Sequence, residues 1–124
     1  MNTAIPSKMK HDNYKLDLSV DYHAHILPGC DHGSDGLETS LRQLEMAAAA
    51  GVKTIYATPH FYPHKESVET FLRHRAECAK LLANNRPNDA VQVRLGAEVL
   101  ICEGMEHLDD LALLCCEGSN ELLL

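Results

Sequence analysis

Two histidines two residues apart, in Asp21-Tyr22-His23-Ala24-His25, are the side chains of this 124-residue sequence best placed to act together. They follow the run Lys15 to Val20, which reads as a strand. In extended backbone, side chains i and i+2 point to one face. Both imidazoles therefore project the same way, about 7 Å apart along the backbone, close enough to share one metal ion. Two more ligand types stand at the ends of later strand-like segments: His60 in Ala57-Thr58-Pro59-His60 and Glu98 in Gly96-Ala97-Glu98. Imidazole nitrogens with a carboxylate oxygen make the donor set of a polynuclear metal site.

Each signal has a plainer reading. A single His at a strand end is usually a partly buried histidine, and a single Glu a surface carboxylate. What favours chemistry is recurrence: two imidazoles on one face need a shared partner, and the other two groups sit at equivalent places in successive units. His32, in the loop after His25, is within reach of the same cluster. His11, His64, His74 and His107 read as loop or helix-surface residues. A cysteine phosphatase needs a thiolate with Arg six positions on. Counting from Cys30, Cys78, Cys102, Cys115 and Cys116 reaches Gly36, Asn84, Leu108, Glu121 and Leu122, so that chemistry is excluded. Cys78, Cys115 and Cys116 lie in helical patterns, where cysteine behaves as a small buried hydrophobe. A Walker-type phosphate loop is absent as well.

The elements that must position these groups follow the order β-α-β-α-β-α-β. Met1 to Tyr14 reads as a loose tail. After the His-x-His turn, Pro28 to Gly36 is a Gly-rich polar loop. Asp35 with Glu38 suggests a capping box opening a helix over Leu37 to Ala50, with Leu37, Leu41, Leu44 and Ala48 inward and Gly51 as its stop. Val52 to Ala57 is a second strand, ended by Pro59. Glu66 to Leu82 is a second helix with an apolar stripe of Val68, Phe71, Leu72, Ala79 and Leu82, broken by Asn84, Asn85, Pro87 and Asn88. Val91 to Leu100 is a third strand, Met105 to Cys115 a short helix, and Glu121 to Leu124 the start of a fourth strand. This order calls for an α/β fold with a parallel sheet and right-handed crossovers. Functional groups of such sheets collect at the carboxyl ends of the strands. Three neighbouring strands about 4.8 Å apart spread the four groups over roughly 10 Å, which suits metals about 3.5–4 Å apart.

Composition is consistent with one domain. Apolar residues are 45% of the chain, enough for a core. A net charge of −7 argues against a nucleic-acid surface. Acidic excess suits a site that gathers cations, although a solvated acidic surface is the commoner cause. No segment resembles a signal peptide or a membrane span. The five cysteines are odd in number and lack zinc-finger spacing, so the chain reads as cytoplasmic with reduced thiols.

Taken together, these motifs resemble the amino-terminal half of a PHP-superfamily phosphatase, and in particular the bacterial tyrosine phosphatases that accompany capsule and exopolysaccharide synthesis. The resemblance rests on Asp21 to Gly29, Gly33 before a helix, Gly51-Val52-Lys53-Thr54-Ile55, Ala57 to His60 and Gly96-Ala97-Glu98, and spans about Leu18 to Ile101. It implies a distorted (β/α)7 barrel whose first half is 15–124, with up to three manganese or iron ions. On that pattern His23 and His25 bind one metal, Glu98 bridges to a second, and His60 with the residue at position 32 binds the third. Most members have Asp where this chain has His32, after an Asp matching Asp31. A His there brings a neutral nitrogen in place of a negative oxygen, so Asp31 is the alternative loop ligand. The implied activity is hydrolysis of phosphotyrosine on protein substrates by metal-activated water. The implied setting is regulation of capsular or exopolysaccharide synthesis, with a bacterial tyrosine kinase as partner. Two alternatives stand beside it: a histidinol-phosphate-type small-molecule phosphatase, and a catalytically inactive half-barrel that self-associates through its open edge. Members run to about 250 residues, a closed barrel's size, so their later ligands are expected beyond Leu124.

Overall fold

Ile55 and Val93 lie side by side in parallel strands, and this β-branched pairing organises the fold. The computed structural model describes residues 19–105, 110–119 and 121–124. The tail 1–14 and positions 15–18 of the first expected strand lie outside them. Strand β1 is Val20–Ala24, followed by helix α1 at Leu37–Ala49, β2 at Thr54–Ala57 and β3 at His60–Phe61. Helix α2 spans Val68–Asn85, then come β4 at Gln92–Leu95, β5 at Glu98–Val99 and a 3-10 turn at Leu111–Leu114. The fold is a mixed α/β arrangement in which every described strand pairing is parallel.

The strands form two sheets, in the orders β1-β2-β4 and β3-β5. The third strand, expected as one run over Val91 to Leu100, is broken at Gly96 and Ala97. The second, expected to stop before Pro59, resumes at His60. The reason is local. Pro59 has no N–H to offer a ladder, so the chain steps there and its carbonyl takes the Glu98 N–H at 2.9 Å. His60 then pairs with Glu98, and Phe61 with Val99. His60 and Glu98 therefore open the second sheet, where the sequence suggested they would end strands of the first. Leu123 makes an isolated parallel bridge to Glu98, where a fourth strand was expected. Of the helix expected over Met105 to Cys115 only the Leu111–Leu114 turn lies in a described helical stretch, since 106–109 are outside the described residues.

Each helix is bounded by identifiable chemistry. Helix α1 starts at Gly36 with no side-chain cap, because Asp35 is engaged by the Thr39 hydroxyl at 2.6 Å; the expected capping box does not form. It ends in a Schellman motif: Gly51 N–H meets Ala48 O at 3.1 Å and Val52 N–H meets Ala47 O at 3.0 Å. Gly51 adopts φ +92°, which a side chain would resist. Helix α2 is capped by Ser67, whose hydroxyl accepts the Thr70 N–H, and runs to Asn85, beyond the expected Leu82. Asn85 turns its amide back to Leu81 O at 2.8 Å, a bond that lets the helix carry this polar end.

Two cores result. One gathers Ile26, Leu27, Leu44, Ile55, Cys78 and Leu82 between α1, α2 and the first sheet. The other gathers Phe61, Val68, Phe71, Val99 and Leu114. Helix α2 serves both, with Val68 and Phe71 in one and Cys78 and Leu82 in the other, matching most of its expected stripe. In α1, Leu44 is buried with Leu37 and Leu41 packed beside it, but Ala47 takes the inward place expected of Ala48, which is exposed. Leu82 is 1% exposed and its neighbour Leu81 is 46% exposed. Leu82→Ala is expected to cost about 2–5 kcal/mol in urea denaturation, and Leu81→Ala under about 0.5 kcal/mol.

Candidate metal centre

His23 lies within β1 and His25 just beyond it, on one side of the strand as extended backbone requires. The register of β1 against β2 shifts between Asp21 and Ala24, where the Asp21 carboxylate accepts the His23 N–H at 3.0 Å. Thr58 is fully buried and its hydroxyl accepts the Ala24 N–H at 3.2 Å, fixing the residue between the two histidines.

The imidazoles converge on Glu98. Its Oε1 lies 2.7 Å from His23 Nε2 and 3.0 Å from His25 Nε2, and the two nitrogens are 3.2 Å apart. Donors on a single tetrahedral ion bound at about 2.0–2.2 Å would stand roughly 3.3–3.6 Å from one another, so this trio would have to spread slightly, most at the His23–Glu98 contact, to hold one ion. A second trio shares His25. Asp31 Oδ2 is 2.7 Å from His25 Nδ1 and accepts the His60 N–H at 3.1 Å, while His60 Nδ1 stands 3.7 Å from Glu98 Oε2. The donor atoms of each trio lie within 4.8 Å of one another. A neutral imidazole offers one acceptor nitrogen, so His25 can give an ion Nε2 in the first trio or Nδ1 in the second, not both. With Nε2 given to an ion beside Glu98 and His23, the His25 nitrogen facing Asp31 is the Nδ1–H, and a bond from it to the Asp31 carboxylate would fix tautomer and ring orientation.

Four of the five expected ligands, His23, His25, His60 and Glu98, are brought together. His32 is exposed and outside both trios. The Asp31 carboxylate, the alternative, faces His25 and His60 and also accepts the Gly33 N–H at 2.9 Å. Burial pushes the Asp31 carboxyl up, but the bonds from Gly33, His25 and His60 outweigh it and hold its pKa below the ordinary aspartate value. That stabilisation is present above the ordinary aspartate pKa and is lost as pH falls through the lowered one. Glu98 behaves alike: desolvation raises it, while the His23 bond and the facing imidazoles bring it below the usual glutamate value.

The loop that carries Asp31 is held tightly. Ser34 N–H bonds His25 O at 3.0 Å, and the buried Ser34 and Ser40 hydroxyls meet at 2.6 Å. Gly33 lies so close that a Cβ there would stand 2.3 Å from both His25 Cβ and His25 O. One participant escaped sequence reasoning. The Tyr62 ring stacks on His60 with centroids 5.6 Å apart, and His60 stacks on His25 at 4.6 Å. The i, i+2 spacing from His60 was the available signal, visible only once residues 60–62 are taken as extended. A groove of about 460 Å³ lined by Leu41, Ala48, Arg86 and Val91 includes none of these residues.

Residues 19–124 match the family model described as capsular polysaccharide synthesis, CpsB/CapC. The chain belongs to the CpsB/CapC family. It is 42% identical over 41 residues to the tyrosine-protein phosphatase YwqE of Bacillus subtilis (strain 168), a stretch covering 33% of this chain and 16% of that protein. Its fold matches a chain from the crystal structures of YwqE from Bacillus subtilis and CpsB from Streptococcus pneumoniae, described as unique metal-dependent tyrosine phosphatases. The TM-score is 0.55 at 29% identity, covering 84% of this chain and 39% of that one. The chain thus spans well under half the length of these relatives. No described helix is long and apolar enough to cross a membrane.

Packing at Gly33 offers a direct check. Gly33→Ala is expected to destabilise the chain by about 1–3 kcal/mol in chemical denaturation, because backbone and not a flexible side chain must yield. Gly36→Ala, where a Cβ meets nothing within 4 Å, is expected to cost under about 1 kcal/mol.

Proposed function

We propose that this CpsB/CapC chain carries the first part of a metal-dependent phosphotyrosine phosphatase centre, with His23, His25, His60, Glu98 and Asp31 as the groups that hold the ions. The observation that carries this reading is the convergence of His23 and His25 on Glu98 beside the Asp31–His60 pair, within a chain whose relatives are named tyrosine phosphatases. Imidazole and carboxylate donors suit manganese or iron. When bound, such ions would draw phosphate oxygens and lower the pKa of water towards neutrality.

The chain's own residues do the rest. Glu98 and Asp31 place negative charge at the centre of a chain of net charge −7, so a phosphate dianion would be repelled unless cations intervened. Asp31 fixes the His25 ring, and Gly33 keeps the loop close enough for that bond. Tyr62, stacked on His60 and with Lys65 Nζ 4.9 Å from its ring centroid, steadies the His60 ring beside the centre. The substrates are phosphotyrosine proteins, among them a bacterial tyrosine kinase, in control of capsular polysaccharide synthesis, and the protein works in the cytoplasm. A histidinol-phosphate-type activity is the less favoured reading, since both relatives are named for tyrosine phosphatase activity.

The test is manganese uptake by equilibrium dialysis, paired with phosphate release from a phosphotyrosine peptide and from histidinol phosphate. His23→Ala and Glu98→Ala should each remove most bound manganese and any metal-dependent turnover. Asp31→Asn should weaken uptake, whereas exposed His32→Ala should leave it near wild type. Unchanged metal content and turnover in His23→Ala would sink the assignment. With this donor set alone the ions are held loosely, so turnover by the 124 residues is expected to be low. The exposed side chains of Leu100, Ile101, Leu113 and Leu124 should also make the isolated chain self-associate in light scattering.

A further inference from the structure

Three ligand-bearing side chains outside this centre also meet. His74 and Cys78 are one turn apart on α2 and share a helix face, with His74 Nε2 3.8 Å from Cys78 Sγ. Cys30, in the loop after β1, brings its sulfur to the same point, so that all three donor atoms lie within 4.8 Å of one another. On a tetrahedral zinc ion, with Zn–S about 2.3 Å and Zn–N about 2.0–2.1 Å, two sulfurs stand roughly 3.8 Å apart and a sulfur and nitrogen roughly 3.6 Å. The His74–Cys78 spacing is already close to that size, and Cys30 Sγ lies within 4.8 Å of both. None of the three belongs to the His23, His25, Glu98, Asp31 and His60 set, and two thiols with an imidazole are a softer donor group than that set.

We propose that Cys30, His74 and Cys78 form a second, separate site for a soft or borderline divalent cation of the zinc type, bound by two thiolates and one imidazole with a fourth position open to solvent. Binding takes one proton from each thiol, giving two thiolates that balance the ion's two positive charges. Without an ion, burial pushes the Cys30 and Cys78 thiols up, and Cys30 most strongly, while the nearby Arg75 guanidinium pulls Cys30 the other way. A coordinated thiol is deprotonated outright, so that resistance is one the cation itself removes. His74 is exposed, which gives the ion a way in. The ion would tie the Pro28–Gly36 loop to α2. Because Cys30 precedes Asp31, occupancy of this site would hold the loop that presents Asp31 to His25 and His60.

Cobalt(II) distinguishes the two centres, because only thiolate ligands give the near-ultraviolet sulfur-to-cobalt charge-transfer band. The reduced 124-residue chain, titrated without oxygen, should develop that band to one equivalent, and zinc should abolish it while protecting two cysteines from alkylation. Cys78→Ser and Cys30→Ser should each lose the band's one-equivalent endpoint, with mass spectrometry of alkylated peptides naming the protected pair. His74→Ala, on an exposed residue and so without risk to the core, should keep two thiolate ligands but weaken cobalt binding at least about tenfold. His23→Ala should leave the band intact, so failure of this site and failure of the His23–Glu98 centre are separate results. Absence of the band in the reduced chain would overturn the proposal. So would a band that keeps its one-equivalent endpoint in Cys78→Ser, or zinc protection falling on Cys102, Cys115 or Cys116.

Discussion

Parallel pairing is the constraint from which the rest of the molecule follows. β1, β2 and β4 run the same way, with Ala24 beside Ala57 and Ala57 beside Leu95, so each link between them must cross back over the sheet. Helices α1 and α2 supply those crossovers and bury the apolar side of the sheet. All the strand exits then lie at one edge, where backbone that no longer pairs is free to carry ligands. The histidines, Asp31 and Glu98 are neighbours because three strand ends are neighbours.

The step at Pro59 and Gly96 refines that arrangement. Had β2 and β4 continued straight, His60 and Glu98 would have stayed in the plane of the first sheet. Instead Thr58 N–H reaches Ala24 O at 2.8 Å, Gly96 N–H reaches Ala57 O at 2.9 Å, and the chain restarts as β3 and β5. Gly96 fits there because a side chain would press on Thr58 Cγ2 at 3.2 Å and Cys116 Sγ at 3.1 Å. Glu98 thereby sits at the start of its short strand with its carboxylate facing His23 and His25 across the gap. The cluster owes its compactness to this offset as much as to the side chains in it.

The loop between β1 and α1 touches both proposed clusters. Asp31 and Cys30 are consecutive, yet one meets His25 and His60 while the other meets α2. A loop bound on both sides, with Gly33 pressed on His25 and Ser34 and Ser40 sealing its base, has little freedom. Such restraint suits a segment that must hold a carboxylate to a fraction of an ångström. It also explains how a Cys in a polar loop and a Cys in a helical stripe, unremarkable apart, come to share one point in space.

Residue types and spacing were enough to single out side chains that meet in space: i, i+2 geometry put His23 and His25 on one face whatever the rest of the chain did, and the recurrence of His60 and Glu98 after strand-like runs marked a shared edge. Periodicity likewise placed both helices and the α/β class, because burial of a helix stripe is a local pattern. Capping was less legible, since Asp35 could bond either a backbone N–H or the Thr39 hydroxyl, and only packing chose. Which of Asp31 and His32 turned inward depended on the Gly33 N–H and on His60, a residue far along the chain. The meeting of Cys30 with His74 and Cys78, and the stacking of Tyr62 on His60, were set by how α2 and the second sheet lie against the first. Contacts between residues distant in sequence are fixed by three-dimensional packing, and no local pattern encodes them.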